Sequence, residues 1–140
     1  MSNEITKLGK IFWILDDFKY IGSYPDDEAT HQVAYIDSFV GDENMIKITT
    51  EPTDFGDGKI SISININREN NLKYVGKFHL VEEQHTRGKV EAELFENQAK
   101  FFLFGTWEEV DEEGFSNLYT WFAEINKHKG QRHITSAKKA

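Results

Sequence analysis

The sequence predicts an all-β fold, an antiparallel meander of seven or eight strands that closes into a barrel. Three observations indicate it. Apolar and polar residues alternate with the period of two that is typical of a half-buried strand. Short turns rich in Gly, Asn, Asp and Pro join the alternating segments and leave no room for crossover helices. Aromatic residues make up 14% of the 140 residues, eleven of them Phe, and they favour sheets with a large packed interior. Closure into a barrel protects the edge strands of such a meander.

Residues 8–18 fit two interpretations. They contain the run Ile-Phe-Trp-Ile-Leu, which is typical of a buried strand, yet Leu8, Ile11 and Phe18 also fit one face of a short helix. Periodicity alone does not separate the two for so short an apolar run. We expect a strand that is kinked at its two aspartates, with a short N-terminal helix as the alternative. Residues 24–28, which include a proline, predict a turn.

Four strands follow in the middle of the chain. We predict them at residues 31–40, 45–50, 60–67 and 72–84. The third is the clearest, because Ile alternates with Ser or Asn and gives one core face and one solvated face. In the first, the alternation places Ala34 and Ile36 on one face and Val33, Tyr35 and Phe39 on the other.

Three long strands complete the predicted meander, at residues 89–96, 100–107 and 117–127. The middle one contains Phe-Phe-Leu-Phe, so both of its faces are apolar, which predicts a central strand with a core on one side and a cover on the other. Gly105 permits a bulge or a close crossing within this strand. The acidic segment at residues 108–116 predicts a solvated turn.

Charge and length predict one domain at residues 1–127 and a basic, disordered tail at residues 128–140. Residues 125–140 hold five basic and no acidic side chains, which leaves 11 basic against 24 acidic elsewhere, a net charge of −13. So acidic a body repels nucleic acid and anionic lipid and attracts a basic partner. No apolar run approaches the about 20 residues of a membrane span, so we expect a cytoplasmic location.

Four segments of the second half resemble the later half of a calycin-type barrel. They are Tyr74-Val-Gly-Lys-Phe, Gly88-Lys-Val-Glu-Ala-Glu-Leu, Leu103-Phe-Gly-Thr-Trp and Trp121-Phe-Ala-Glu-Ile. The resemblance covers about residues 72–127 and lies in the rhythm of strand, turn, Gly-x-Trp and strand. Calycins include avidin-like, lipocalin-like and fatty-acid-binding proteins. The resemblance therefore implies an up-and-down barrel that binds a small hydrophobic or heterocyclic molecule inside.

The sequence predicts neither an enzyme nor a metal or cofactor site. It has no Cys and no Gly-x-Ser-x-Gly setting for a nucleophile. No pair of its five histidines has the short spacing of a zinc site. The Asp-Phe-Gly triplet at residues 54–56 lacks the Gly-rich loop and the His-Arg-Asp segment of a kinase, so we interpret it as a turn.

Two hypotheses for function remain, with a homodimer as a third. The first is a non-enzymatic binding protein that holds a small apolar or aromatic ligand inside the barrel; an eight-stranded barrel is just wide enough either to be packed solid or to hold one such ligand. Its predicted lining residues are Tyr74, Phe78, Phe102, Phe104, Trp107, Tyr119 and Trp121.

The alternative is an acidic module of the immunity or inhibitor type that neutralises a basic protein partner through electrostatic complementarity. Its predicted contact residues are Asp26, Asp27, Glu28, Glu108, Glu109, Asp111, Glu112 and Glu113. A homodimer would instead pair two sheet faces through the two-sided strand at residues 100–107.

Overall fold

A computed structural model describes residues 8–15, 31–54, 58–70, 73–83, 85–110, 113–127 and 137–138. Within these ranges the chain forms strands and turns and no helix. The strands are β1 (Gly9–Leu15), β2 (His31–Gly41), β3 (Met45–Thr50), β4 (Thr53–Asp54), β5 (Lys59–Ile60), β6 (Ile62–Arg68), β7 (Lys73–Leu80), β8 (Gly88–Glu96), β9 (Lys100–Val110), β10 (Ser116–Asn126) and β11 (Ala137–Lys138).

Eight of these strands close into an antiparallel barrel, which confirms the predicted fold class. Their order is β1-β10-β9-β8-β7-β6-β3-β2, and β2 pairs back onto β1 to close the ring. Each strand lies beside its neighbour in the sequence, apart from the small β4-β5 hairpin inserted between β3 and β6. The strand interpretation of residues 9–15 is therefore confirmed, while the two aspartates where a kink was predicted lie outside the described residues.

The core fills the barrel interior from alternating positions, as the sequence pattern predicts. Ile62, Ile64 and Ile66 of β6 are buried, and so are Leu103 and Trp107 of β9. At one end, here called the closed end, the Tyr74 hydroxyl donates a hydrogen bond to the carbonyl of Glu43. The opposite end, here called the mouth, is the end at which β1, β3, β7 and β9 finish.

Asparagine and aspartate side chains shape two hairpins at the closed end. The Asn97 carboxamide oxygen accepts hydrogen bonds from the backbone N–H groups of Ala99 and Lys100, each at 2.8 Å. The Asp42 carboxylate accepts one from the N–H of Asn44 at 2.8 Å. Such contacts let a short side chain substitute for a backbone turn, and they occur where the sequence predicts hairpin loops.

A β-bulge in β2 overturns the predicted grouping of its side chains. The register with β3 shifts between Ile36 and Ser38, so one extra residue moves the following positions to the other face. Phe39 is consequently buried together with Ala34 and Ile36, whereas Val33 and Tyr35 are exposed. The prediction that Phe39 shares a face with Val33 and Tyr35 is wrong, because strict alternation does not anticipate an inserted residue.

Two predicted strand ends also differ from the structure. β9 continues to Val110, so Glu108 and Glu109 pair with Leu118 and Asn117 of β10 instead of lying in a turn. β7 ends at Leu80 rather than reaching residue 84, because the chain turns there and the N–H of Glu83 bonds the carbonyl of Leu80 at 2.9 Å.

The C-terminal region adds a short strand to the wall. Ala137 and Lys138 of β11 pair with Phe39 and Ser38 of β2. Residues 128–136, which fall in the predicted disordered tail, lie outside the described residues. The division into a domain and a tail therefore stays a prediction.

A candidate ligand cavity at the barrel mouth

The mouth of the barrel contains a cavity of about 460 Å³. This volume lies within the range of roughly 300–1,000 Å³ that is usual for small-molecule sites. The lining residues come from seven strands and two loops, namely Trp13, Gln32, Gly58, Ile60, Ile62, Phe78, Leu80, Arg87, Trp107, Glu109 and Tyr119. Most are inward-facing positions of the alternation that also builds the core, so the cavity is the part of the interior that the side chains leave unfilled.

Aromatic rings form one wall of the cavity. The rings of Phe78 and Trp107 lie 4.1 Å apart between centroids and are inclined by 31°. Trp13 meets Trp107 edge-on, at 5.3 Å and 78°. The Trp13–Trp107 separation falls within the range of roughly 4.5–7 Å that is typical of favourable ring pairs, and the Phe78 and Trp107 rings lie closer than that range. The rings support one another and present apolar surface to the cavity.

Gly88 makes room for this wall. A Cβ atom at this position would lie 2.7 Å from the Cε1 atom of Phe78 and 1.8 Å from the carbonyl oxygen of Glu108. Only glycine lets the Phe78 ring pass so close to β8. The position of Phe78 against Trp107 therefore depends on a residue that has no side chain of its own.

Trp121 supports the wall from below without lining the cavity. Its ring meets Trp107 at 5.6 Å and 63°. Its indole N–H donates a hydrogen bond of 2.9 Å to the carbonyl oxygen of Glu91, so this buried polar group is satisfied. The floor of the cavity is thereby fixed by a hydrogen bond between β10 and β8.

Four of the lining side chains are polar, namely Gln32, Arg87, Glu109 and Tyr119, and Arg87 is held in place by two sets of contacts. Its guanidinium donates two hydrogen bonds to the Glu83 carboxylate, at 2.8 and 2.9 Å. Its backbone N–H bonds the carbonyl of Phe78 at 2.8 Å, and its carbonyl accepts from the N–H of Val110 at 3.1 Å. The hydrogen bonds from Arg87 lower the pKa of Glu83 below its ordinary value.

Tyr119 supplies one of the hydrogen-bond donors of the lining. Burial raises the pKa of its phenol, and the negative charge of Glu109 raises it further. The phenol therefore stays protonated at neutral pH. Gln32 adds an amide, which has both a donor and an acceptor. Together these groups offer a ligand a small set of directional contacts beside an apolar wall.

Three of the predicted lining residues, Phe78, Trp107 and Tyr119, do line the cavity. Tyr74 and Trp121 lie inside the barrel, as buried residues of the closed end and the floor. The structure thus brings five of the predicted residues into one interior, but only the three nearest the mouth reach open space.

The structure places Phe102 and Phe104 differently from the prediction. They alternate with the buried Phe101 and Leu103 and therefore point to the outside of the barrel, where Phe104 is 51% exposed. Phe102 packs there against Phe122. The prediction that these two line an interior cavity is wrong, because a run with two apolar faces can place only one face inside a closed barrel.

The predicted acidic contact residues do not form one described surface. Asp26, Asp27, Glu28, Asp111 and Glu112 lie outside the described residues. Glu113 is exposed and Glu108 is half-buried on the outer wall, whereas Glu109 lines the cavity.

Sequence reasoning missed Arg87, Gln32 and Leu80 as cavity residues. Leu80 continues the predicted face of Tyr74 and Phe78, so the alternation itself contains this signal. No sequence pattern identifies Arg87 as a cavity residue, because its position depends on how the loop after β7 folds at the mouth.

In the ranges that the structure describes, no three His, Asp or Glu side chains are grouped so that they could hold a metal ion. The same ranges contain no helix long and apolar enough to cross a membrane. Comparison of the chain with protein families, curated proteins and solved structures found no significant match.

Proposed function

We propose that the protein is a non-enzymatic binding protein that holds one small, largely aromatic molecule in the mouth of its barrel. The observation that carries this proposal is the cavity of about 460 Å³ beside the paired rings of Phe78 and Trp107. A core packed solid to both ends would leave no place for a ligand. Here only the closed end is packed in this way.

The polar lining residues favour a neutral ligand over an anionic one. Arg87 is the cation of the cavity, and the Glu83 carboxylate already accepts two hydrogen bonds from it. Glu109 contributes a negative charge to the lining. The ligand is therefore a neutral molecule with a donor and an acceptor at one end, such as a heterocycle or an aromatic amide. Tyr119 and Gln32 are the groups that orient it.

The same polar groups favour binding over catalysis. Near neutral pH the Tyr119 phenol holds its proton, because both burial and Glu109 raise its pKa. The Glu83 carboxylate is ionised, because Arg87 lowers its pKa. A general acid or base works best when its pKa lies near the working pH, and neither group meets this condition.

The resemblance to calycin-type barrels supports the proposal at the level of architecture. Eight-stranded up-and-down barrels hold small ligands in their mouths, and this chain forms a closed eight-stranded barrel of that connectivity. The same fold serves many functions. Membership of the calycin group is therefore itself part of the proposal, and the main support for ligand binding is the cavity.

The experiment is a fluorescence titration with N-phenyl-naphthylamine, a neutral aromatic amine. Trp13 and Trp107 line the cavity, so binding should quench tryptophan emission and enhance the emission of the probe, with one site per chain. Leu80→Glu places a carboxylate in the apolar part of the cavity, and we expect it to weaken binding by at least about tenfold, the equivalent of 1.4 kcal/mol.

Val81→Glu is the matched control. Val81 follows Leu80 directly but is exposed in the turn and does not line the cavity, so the same change of charge should leave the affinity within a factor of about two. Equal weakening by both variants, or a wild-type chain that does not bind the probe, would contradict the proposal.

A further inference from the structure

The outer wall of the barrel carries a contiguous apolar patch that the proposed cavity does not use. We call it the outer aromatic face and define it as Phe12, Val33, Phe95, Phe102, Phe104 and Phe122. These residues belong to five adjacent strands, from β2 through β1, β10 and β9 to β8.

Strand register places the six side chains next to one another. Phe12 lies opposite Val33 of β2 on one side and Phe122 of β10 on the other. Phe122 lies opposite Phe104, and Phe102 lies opposite Phe95. Phe122 is the centre, since its ring lies 6.1 Å from Phe12, 5.7 Å from Phe102 and 6.1 Å from Phe104.

The patch is large enough to be an interface. Phe104 is 51% exposed, Phe95 48% and Val33 36%, and the neighbouring Ile14 and Tyr35 are 43% and 45% exposed. With large side chains of about 150–250 Å² each, the exposed apolar area is on the order of 400 Å². One side of a standard interface buries about 800 Å², of which a little over half is apolar. The patch together with its rim therefore matches one side of a stable dimer.

Two acids near the patch, Glu124 and Glu96, are already paired within the sheet. The Glu124 carboxylate lies 4.0 Å from the Lys10 ammonium and 3.7 Å from that of Lys100. Lys127 lies 2.6 Å from Glu96. A basic protein would have to compete with these lysines for the two acids, and an anionic lipid would have to compete with the two acids for the lysines. A second apolar face needs no such exchange.

We propose that the outer aromatic face is a homodimer interface, in which the same face of a second copy of this chain covers it. The whole chain has a net charge of −8 and repels a copy of itself, whereas this face has an aromatic centre with two paired acids beside it. In a two-fold dimer each copy presents the same patch to the other. The interface lies on the barrel wall, so both mouths stay open and each copy keeps its own cavity.

Sedimentation velocity of the full chain over a concentration series tests the proposal. The wild type should sediment as a dimer of twice the 16.2 kDa chain mass. Dimerisation should strengthen as salt is added, because salt screens the repulsion between two acidic chains and leaves apolar contacts intact. Phe104→Glu should raise the dissociation constant at least about 30-fold, as loss of a central aromatic contact does.

Phe115→Glu is the matched control, because Phe115 is 66% exposed and lies in the turn before β10, outside the patch. It should dimerise as the wild type does. Circular dichroism and thermal unfolding establish that each variant is folded, and Phe95→Glu replaces Phe104→Glu if the latter does not fold.

Three outcomes would overturn the proposal. The first is a wild type that stays monomeric up to its solubility limit. The second is a dimer that a folded variant of the outer aromatic face leaves intact. The third is a monomer that co-sediments with neutral phosphatidylcholine vesicles through this face, which would make a lipid surface the occupant. Unchanged probe binding by the mouth cavity in Phe104→Glu would keep the proposed function separate from this result.

Discussion

At Gly105, β9 passes so close to β8 that no side chain fits between them. A Cβ atom there would lie 2.0 Å from the carbonyl oxygen of Glu91 and 2.7 Å from the Cα atom of Ala92. Both neighbours are backbone atoms, which cannot rotate away as a side chain can. The Glu91 carbonyl also accepts the hydrogen bond from the Trp121 indole. The absence of a side chain at Gly105 therefore allows the close strand approach beneath the cavity's aromatic wall.

Gly105→Ala should destabilise the protein by about 3 kcal/mol, because the added methyl group forces two strands apart. Urea unfolding followed by circular dichroism measures the loss. Tryptophan emission of the folded variant should shift to the red as the Trp121 hydrogen bond weakens. Thr106→Ala, at the next and exposed position, should change stability by no more than about 0.5 kcal/mol. A loss below about 1 kcal/mol for Gly105→Ala would show that the strands can separate freely there.

At the scale of the strand, residue alternation predicts most of the fold and part of the site. It identifies the inward faces of β6, β7 and β10, and with them Phe78 and Tyr119 as interior residues. It fails at the β2 bulge, where one inserted residue brings Phe39 inside. It also fails to choose between the faces of β9, where both faces are apolar and only closure of the barrel decides that Phe104 points out.

The loop between β7 and β8 supplies a part of the site that alternation cannot predict. Its shape depends on the hydrogen bonds between Arg87 and Glu83, and on the backbone contacts of Arg87 with β7 and β9. Residues 83 and 87 have no periodic pattern that links them to Trp107. The sequence therefore does not predict that Arg87 lines the cavity, because its position depends on the folded shape of the loop.

The Glu83 carboxylate gives this loop a pH dependence. Its pKa is lower in the folded chain than the ordinary value of 4.5 that holds when the chain is unfolded, chiefly because Arg87 donates hydrogen bonds to it. The pair's contribution to stability is thus fully present above pH 4.5 and is lost as the pH falls through the lower folded value.

We expect unfolding free energy to fall less steeply with acidification below about pH 4.5 in Glu83→Gln than in the wild type, since glutamine does not titrate. Urea unfolding at a series of pH values measures the slope. Glu82→Gln makes the same change of charge at the exposed neighbour and should follow the wild-type curve. If the Glu83 and Glu82 variants gave the same curve, the hydrogen bonds to Arg87 would not stabilise the loop.

At the scale of the whole molecule, the barrel is packed at one end and hollow at the other. Tyr74 and Ile66 are buried towards the closed end, while Ile60, Leu80 and Tyr119 are only partly buried around the mouth. The sequence predicts closure but leaves open whether an eight-stranded barrel is solid or hollow. That outcome depends on which side chains meet across the interior, and register between distant strands determines it.

Aromatic residues of the chain lie both in the cavity and on the outer aromatic face. Trp13, Phe78 and Trp107 face the mouth, whereas Phe12, Phe104 and Phe122 face outward from β1, β9 and β10. In β1 and β9 the two sets alternate along one strand, so a high aromatic content alone does not tell which aromatic residues face the interior.

The most direct test of the binding proposal is NMR mapping of N-phenyl-naphthylamine on the wild-type chain. The three tryptophans give three indole N–H signals. The proposal predicts saturable shifts at Trp13 and Trp107, with backbone shifts at Leu80, Arg87 and Tyr119 around the mouth and little change at Phe104 and Phe122. Shifts confined to the outer aromatic face, or signals that do not respond to the probe, would show that the cavity at the mouth is not a ligand site.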